Sequence, residues 1–538
     1  MRRQTFLQGA LVLAVGGLLS RVLGAVYRII LPMLFGPEKD YGMGLLQYSM
    51  GVYTVALTLS SMGIPLAIAK LVSERAARND PAGAVRVYQV AGRVLAALGA
   101  AFTAAMVGAA FYFQQVYDPK ALVSMLAVAP AIFVVSIMSA LRGLFQGMQI
   151  MTPFAASQVI EQIVRILTMF VLAAALLPIG VEFAAAGASF GAVTGAVAGL
   201  LYLLVVFRRH RPTLLPEAPN PAPEVEPAGS LIKEVLHLAI PMSLAALAFP
   251  LFSLVDTMVV PLRLHAIGLT TEAATAALGV LNQMAMPFVN LPLVFTTALA
   301  LSVVPAVSEA WAAGQQDRIR RITVAAQRVT LMISLPAVVG LVLLATEIPS
   351  ILWGAPHVGG PLRLLAPAAL FIGLQQVSSG TLQGLGHPTV PVRNLMTGVV
   401  VKLAATWVLT AQPSLGINGA ATASAAGFLT AAALNLASVH RRAGGALVAA
   451  GDVLRTGGAV TAMVVAVAVA KGWLAPWLAG NSRLMAAAAL LVVITVGAAV
   501  YGAALLLLGG INKEDLDLMG GPGRRLGRLL QRLGLLRR

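Results

Sequence analysis

Six charged residues stand inside stretches that are otherwise apolar: Arg21, Arg28, Glu161, Arg165, Asp256 and Lys402. A mid-membrane arginine costs about 2.5–3.5 kcal/mol on the insertion scale. Such residues face a protein interior or a water-filled cavity, and they point to function. Arg21 and Arg28 are seven apart and share one helix face, which Gly17 and Gly24 also occupy by i+4 and i+3 steps. A stripe of arginine and glycine lets a bulky anion come close, because the planar guanidinium fork grips phosphate bidentately and never deprotonates. The same stripe would also serve helix packing, with the arginines paired structurally.

Asp256 and Arg263 repeat the seven-residue spacing 235 positions later. Asp256 then reads as the counter-ion that keeps the arginines charged when no ligand is bound. Glu161 and Arg165 form an i,i+4 pair, which reads as a neutralised structural pair. Lys402 has no obvious acid nearby in sequence. Asn282, Gln283 and Asn290, flanking Pro287 and Pro292, supply polar groups and helix breaks for either cavity lining or packing. The candidate substrate-binding set is therefore Arg21, Arg28, Asp256, Arg263, Asn282, Gln283, Glu161, Arg165 and Lys402. Lys471 and Arg483 are expected to sit in water and contribute little.

The elements that must position these side chains are long apolar helices. The 538-residue chain is 59% hydrophobic and 11% charged, against roughly 45–50% and 25% in soluble domains. A water-soluble enzyme is excluded. About 20 apolar residues span a bilayer, and fourteen such stretches are expected, six before residue 208 and eight after residue 230. The fold class is an all-α integral membrane protein of 14 transmembrane helices. The expected organisation is an N-lobe over 1–207, a Pro/Glu-rich cytoplasmic linker over 208–234 and a C-lobe over 235–440. Two further spans occupy 441–510, before a basic amphipathic cytoplasmic tail over 511–538, suited to anionic lipid.

The net charge of +17 is largely a topology signal rather than a nucleic-acid footprint. Of the 37 Lys and Arg, the outer loops keep Lys39, Lys120, Arg263, Arg363, Lys471 and Arg483 when both termini are placed in the cytoplasm. The halves read as parallel repeats. Val72-Ser73-Glu74 recurs as Val307-Ser308-Glu309, Gln146-Gly147 as Gln383-Gly384, Arg165 as Lys402, and Gly187-Ala188 as Gly419-Ala420. An even number of spans separates each pair, so both copies run the same way through the membrane, a known transporter plan.

The chain has no cysteine and no GxxxxGK[ST] motif, and its six histidines show no metal-ligand spacing. Neither a catalytic residue nor a bound metal or cofactor is expected. Coupling to Na⁺ or H⁺ is left open by the sequence.

Three motif groups carry a resemblance. They are Ser20-Arg21-Val22-Leu23-Gly24; Gly63-Ile64-Pro65 leading to Lys70-Leu71-Val72-Ser73-Glu74; and Gln146-Gly147-Met148-Gln149-x-Met151-x-Pro153 followed by Ser157-Gln158-x-x-Glu161-Gln162-x-x-Arg165. Together they resemble the stage V sporulation protein B/YtgP branch of polysaccharide exporters. That branch lies in the multidrug/oligosaccharidyl-lipid/polysaccharide flippase superfamily, beside the MurJ-type lipid II flippases. The resemblance implies two pseudo-twofold-related six-helix lobes in a V, plus two extra helices. It also implies movement of an undecaprenyl-pyrophosphate-linked sugar, a lipid II-like precursor first, to the outer leaflet for cell-wall synthesis. Arg21 matches the Ser-Arg-x-x-Gly arginine of those flippases. Their helix 8 Ala-Asp-Arg stretch reads here Leu281-Asn282-Gln283-Met284.

The expected protein is a plasma-membrane monomer working by alternating access. Its expected partners are the lipid-linked sugar and, secondarily, cell-wall synthesis proteins. The rival readings are a cation-coupled multidrug exporter and a non-transporting scaffold for a cell-wall synthase.

Overall fold

The computed structural model describes residues 16–510 apart from 18, 21–22, 25–26, 79, 215–226 and 481. Among these residues there is no strand, and thirteen helices are long and apolar enough to cross a membrane. The fold is all-α. Half of the first expected span (6–35), with Arg21, lies outside the described residues, as do the centre of the linker and the tail 511–538.

The helices pack as two units that divide between Gln283 and Met284. The first holds α1 (Lys39–Leu57), α2 (Ile64–Ala77), α3 (Pro81–Val116), α4 (Ala121–Gly147), α5 (Met151–Leu176), α6 (Val181–Leu214), α7 (Ala228–Ala266) and α8 (Thr271–Gly279). Between α1 and α2 the chain makes a π-helical turn, Thr58–Met62, before Gly63. Pro65 has no N–H to continue an unbroken ladder, so the Gly-Ile-Pro motif marks a discontinuity in the span. Asp80 caps α3 by accepting the Gly83 N–H at 2.7 Å. The first turns of α7 seat Leu231, Val235 and Ala239 against Ile64, Ile68 and Leu71 of α2 and Val87 of α3. The helix that opens the second sequence repeat thus packs with the helices of the first.

A second π-helical turn, Val280–Ala285, succeeds α8, and Pro287 and Pro292 stop the next residues from joining it into one helix. The other unit holds α9 (Leu293–Ala312), α10 (Gln316–Leu343), α11 (Ala368–Gly384), α12 (Thr389–Leu409), α13 (Ile417–Arg442), α14 (Ala450–Leu478) and α15 (Arg483–Leu507).

Lipid gives apolar helices no solvent-driven reason to associate, so small residues that let backbones approach set the packing. The two units use them in register. A Cβ on Gly147 would lie 2.7 Å from the Ala69 carbonyl oxygen and from Val72; one on Gly384 would lie 2.8 Å from the Val304 oxygen and from Val307. Gly143 meets the Pro65 oxygen as Gly380 meets that of Ala300. Every partner pair is displaced by 235 or 237 residues, the offsets of the sequence motifs. Val72 with Gly147 and Val307 with Gly384 are therefore helix-packing positions in both units.

Within the second unit, three polar contacts fasten the α14–α15 hairpin to α10. Arg328 pairs with Asp452 at 3.5 Å, the Tyr501 hydroxyl donates to the Met332 carbonyl at 2.7 Å, and Lys471 donates to the Leu343 carbonyl at 2.9 Å. Lys471 also pairs with Glu347, and its side chain is 29% exposed. The expectation that Lys471 sits in water is corrected. Its long stem lets the ammonium reach the carbonyls at the C-terminal end of α10. Arg483 is exposed as expected.

Candidate functional site

In the first unit, α5 presents Ser157, Glu161 and Arg165 on successive turns. The i,i+4 pairing read from the sequence is not the one formed. Glu161 instead bonds Arg142 of α4 at 2.8 Å, and Arg142 also donates from Nε to Ser157 Oγ at 3.1 Å. Its guanidinium lies 5.6 Å from the centre of the Phe154 ring. Helix register brings Arg165 within reach, but Arg142 arrives from the neighbouring helix with its fork aligned to both acceptors. Arg142 escapes the sequence reading because it lies three residues from the end of an expected span. Its position inside an apolar run is the available signal.

Arg165 is left with a poor acceptor. Its Nη2 lies 3.8 Å from Met50 Sδ on α1, and its Nε is buried without a hydrogen-bond partner. Tyr27, Tyr53 and Glu161 are its electrostatic neighbours. Tyr27 is buried, and its hydroxyl accepts from Arg28 Nε at 3.4 Å. Arg28 and Arg165 therefore share Tyr27 as an electrostatic neighbour. Helix packing holds Arg28 near α5: Gly24 lies against Gln162 and Gly16 against Ala155. The only carboxylate among Arg165's described neighbours is already committed to Arg142.

A second polar node lies along α1, one turn from Met50. Gln47 donates to Ser253 Oγ and Thr257 Oγ1, each at 3.0 Å, and accepts from Gln283 Nε2 at 2.7 Å. Asp256, between these α7 residues in sequence, is 3% exposed. The proposed Arg21–Asp256 pairing falls outside the described residues. Asn282 lies in the same π-helical turn as Gln283, and its Nδ2 is buried without a hydrogen bond. Arg263 lies in the last turn of α7 and is half-buried. So Arg28, Glu161 and Arg165 gather around α5, while Gln283 and Asn282 belong to the α1–α7–α8 node. Lys402 lies on α12 in the other unit and is 2% exposed.

In that unit, the positions matching Arg142 and Ser157 at offset 237 are Ser379 and Asn394. Asn435 donates to Ser379 Oγ and accepts from Asn394, each at 2.9 Å. One unit is ionic at this place; the other is neutral.

The model of the polysaccharide biosynthesis protein family matches residues 6–311, more than half of the chain. The chain belongs to this family. The MatE model matches 241–408. Stage V sporulation protein B of Bacillus subtilis (strain 168) is 31% identical over 443 residues, 82% of this chain and 85% of that protein. Lipid II flippase MurJ of the same organism is 29% identical over 459 residues, 81% and 83% of the two chains. Among solved structures, lipid II flippase MurJ in an inward closed conformation superposes with a TM-score of 0.65 at 14% identity, over 92% of this chain and 98% of that one. An inward-facing multidrug resistance MATE transporter gives 0.61 at 16%, over 78% and 98%. This family member therefore has the fold of the multidrug/oligosaccharidyl-lipid/polysaccharide flippase superfamily and is a multi-pass membrane protein.

Proposed function

We propose that the chain is a transporter rather than an enzyme, and that it moves a polyprenyl-pyrophosphate-linked sugar from the inner to the outer leaflet. A lipid II-like precursor is the favoured cargo. Kinship with lipid II flippases supports the class of cargo. The observation that carries the reading is Arg165: a guanidinium with a buried, unbonded Nε, sharing Tyr27 with Arg28 as an electrostatic neighbour, and no carboxylate of its own among the described residues. Such a group lacks an acceptor that a phosphate oxygen would supply. Arg21 and Asp256 are the further members proposed for this site, and Lys402 is proposed as a binding residue of the other unit.

In this reading the chain is a 14-span monomer with both termini in the cytoplasm. The headgroup crosses while the polyprenyl tail stays in lipid. Outward movement of an anion runs with an inside-negative potential, worth about 2.3 kcal/mol per charge per 100 mV. The potential then drives the cycle without ATP.

Purified protein in liposomes should translocate a fluorescent lipid-linked sugar, faster under an inside-negative potential. Absence of translocation at full incorporation sinks the proposal. The MatE match favours cation-coupled drug export as the second reading. Drug uptake without lipid translocation would select it.

A further inference from the structure

At the far end of α1 from the Gly63 break, a buried carboxylate ties three elements together. Asp118, in the turn between α3 and α4, is 1% exposed. It accepts from the Tyr41 hydroxyl on α1 at 3.2 and 3.1 Å, from Thr275 Oγ1 on α8 at 2.8 Å, and from the Lys120 backbone N–H at 2.9 Å. Thr275 Oγ1 also lies 3.3 Å from the Tyr48 hydroxyl. Around the carboxylate stand Lys120, over the Tyr41 ring at 5.7 Å and 3.4 Å from Glu182, and Glu272 in the first turn of α8. Beneath it Tyr48 packs on Phe113 and Tyr117.

The contact between α1 and α8 here is backbone on backbone. Gly44 abuts the Thr275 carbonyl, and Gly279 abuts the Gly44 nitrogen and the Asp40 carbonyl; neither has room for a Cβ. No water could pass along this face while the contact holds. A buried charge must keep its donors, so moving α8 off α1 takes Thr275 away from Asp118 and exposes the carboxylate. The geometry points to Asp118 as a latch that closes this end of the α1–α8 face. Tyr41 and Thr275 are its catches, and the glycine pair is the seat that lets them meet. The proposed orientation makes this the outer end. The latch rests on the transport reading, because only a cycle that alternately exposes its site needs a breakable seal here. Its positioning residues touch no substrate.

The chain has no cysteine, so a single Ser253→Cys below the latch is a clean reporter. Its labelling rate by a membrane-impermeant maleimide is measured from outside, in intact cells, and from inside, in inverted vesicles. Thr275→Val removes one catch without changing shape. It should raise outside labelling about tenfold, the equivalent of one charge-assisted hydrogen bond. Asp118→Asn should raise it at least as much and Tyr41→Phe less, while Thr275→Ser, which keeps the hydroxyl, should label like the parent. The inside rate should not rise. Unchanged outside labelling in Thr275→Val and Tyr41→Phe at normal protein levels overturns the latch. So does an equal rise from both sides, which would mean general loosening. A rise from inside alone overturns the outer assignment. None of these readouts needs a substrate, so the latch can fail while the flippase reading stands, and the reverse.

Discussion

Arg142 and Glu161 meet at 2.8 Å across two helices, and their bond removes from Arg165 the partner its own helix offers. The equivalent place in the other unit does the same packing with neutral groups, Ser379, Asn394 and Asn435. Ionic chemistry is thus an addition to the first unit rather than a requirement of the fold.

Glu161→Gln should therefore strand a partly buried guanidinium. The side chains are only 12% and 20% exposed, so the loss should be about 1–3 kcal/mol, below that of a fully buried pair. Arg142→Ser combined with Glu161→Gly writes the other unit's residues into this one. It removes both charges together and should melt closer to the parent than either single change. Thermal unfolding in detergent, monitored by size-exclusion fluorescence, measures this. A double variant less stable than both singles would show that the pair is required for packing.

Much of the fold is legible in the sequence because membrane helices advertise themselves. Apolar runs of about 20 residues are hard to mistake, and the repeat offset locates glycine seats that the structure displays. Partner choice escapes. Glu161 lies four residues from Arg165, but sequence spacing measures distance along one helix and is blind to Arg142 arriving from the next. Asp118 escapes for a different reason. It lies in a short polar turn, where a carboxylate is usually solvated, and only packing against α8 makes it buried. Lys471 misleads in the same way, since a charge near a helix end reads as exposed until a neighbouring helix offers carbonyls.

The glycine seats make a paired forecast. Gly147→Ala and Gly384→Ala each drive a methyl against a carbonyl oxygen and a valine. Overpacking of this kind costs about 1–3 kcal/mol. The two should cost alike, because the three atoms nearest each new methyl, a carbonyl oxygen and two valine carbons, match in kind. Gly92→Ala, whose new methyl would lie 3.8 Å from Ala140 Cβ, should be neutral or slightly stabilising through helix propensity. If melting shows Gly384→Ala to be silent while Gly147→Ala is costly, the two seats are not equivalent.

The α14–α15 hairpin should loosen when Lys471 is cut back. Lys471→Ala removes a hydrogen bond and an ion pair of which both partners are about one quarter exposed. The expected cost is about 1 kcal/mol. Limited proteolysis should then cut near Gly480 faster than in the parent. Arg483→Ala, on an exposed side chain, should leave the cleavage rate alone. Equal rates for Lys471→Ala and the parent would mean that the fastening contributes nothing.

Arg165 separates a structural arginine from a ligand-holding one, because the two roles predict opposite stability changes. A guanidinium with an unbonded, buried Nε is a cost to the fold. Arg165→Ala should therefore melt no lower than the parent. Its transport should nevertheless fall about ten- to a hundredfold, the loss of one charged hydrogen-bonding group. Arg165→Lys keeps the charge and loses the fork, and should retain intermediate activity. Met50→Leu takes away the weak sulfur acceptor 3.8 Å from Nη2 at nearly constant volume. It should keep or tighten binding of pyrophosphate to the purified protein, since the thioether would no longer compete for the guanidinium. The measurements are melting temperature, liposome translocation and pyrophosphate affinity on the same preparations. If Arg165→Ala transports normally, or if its activity falls only in step with a lower melting temperature, the arginine holds helices together and the anion site lies elsewhere.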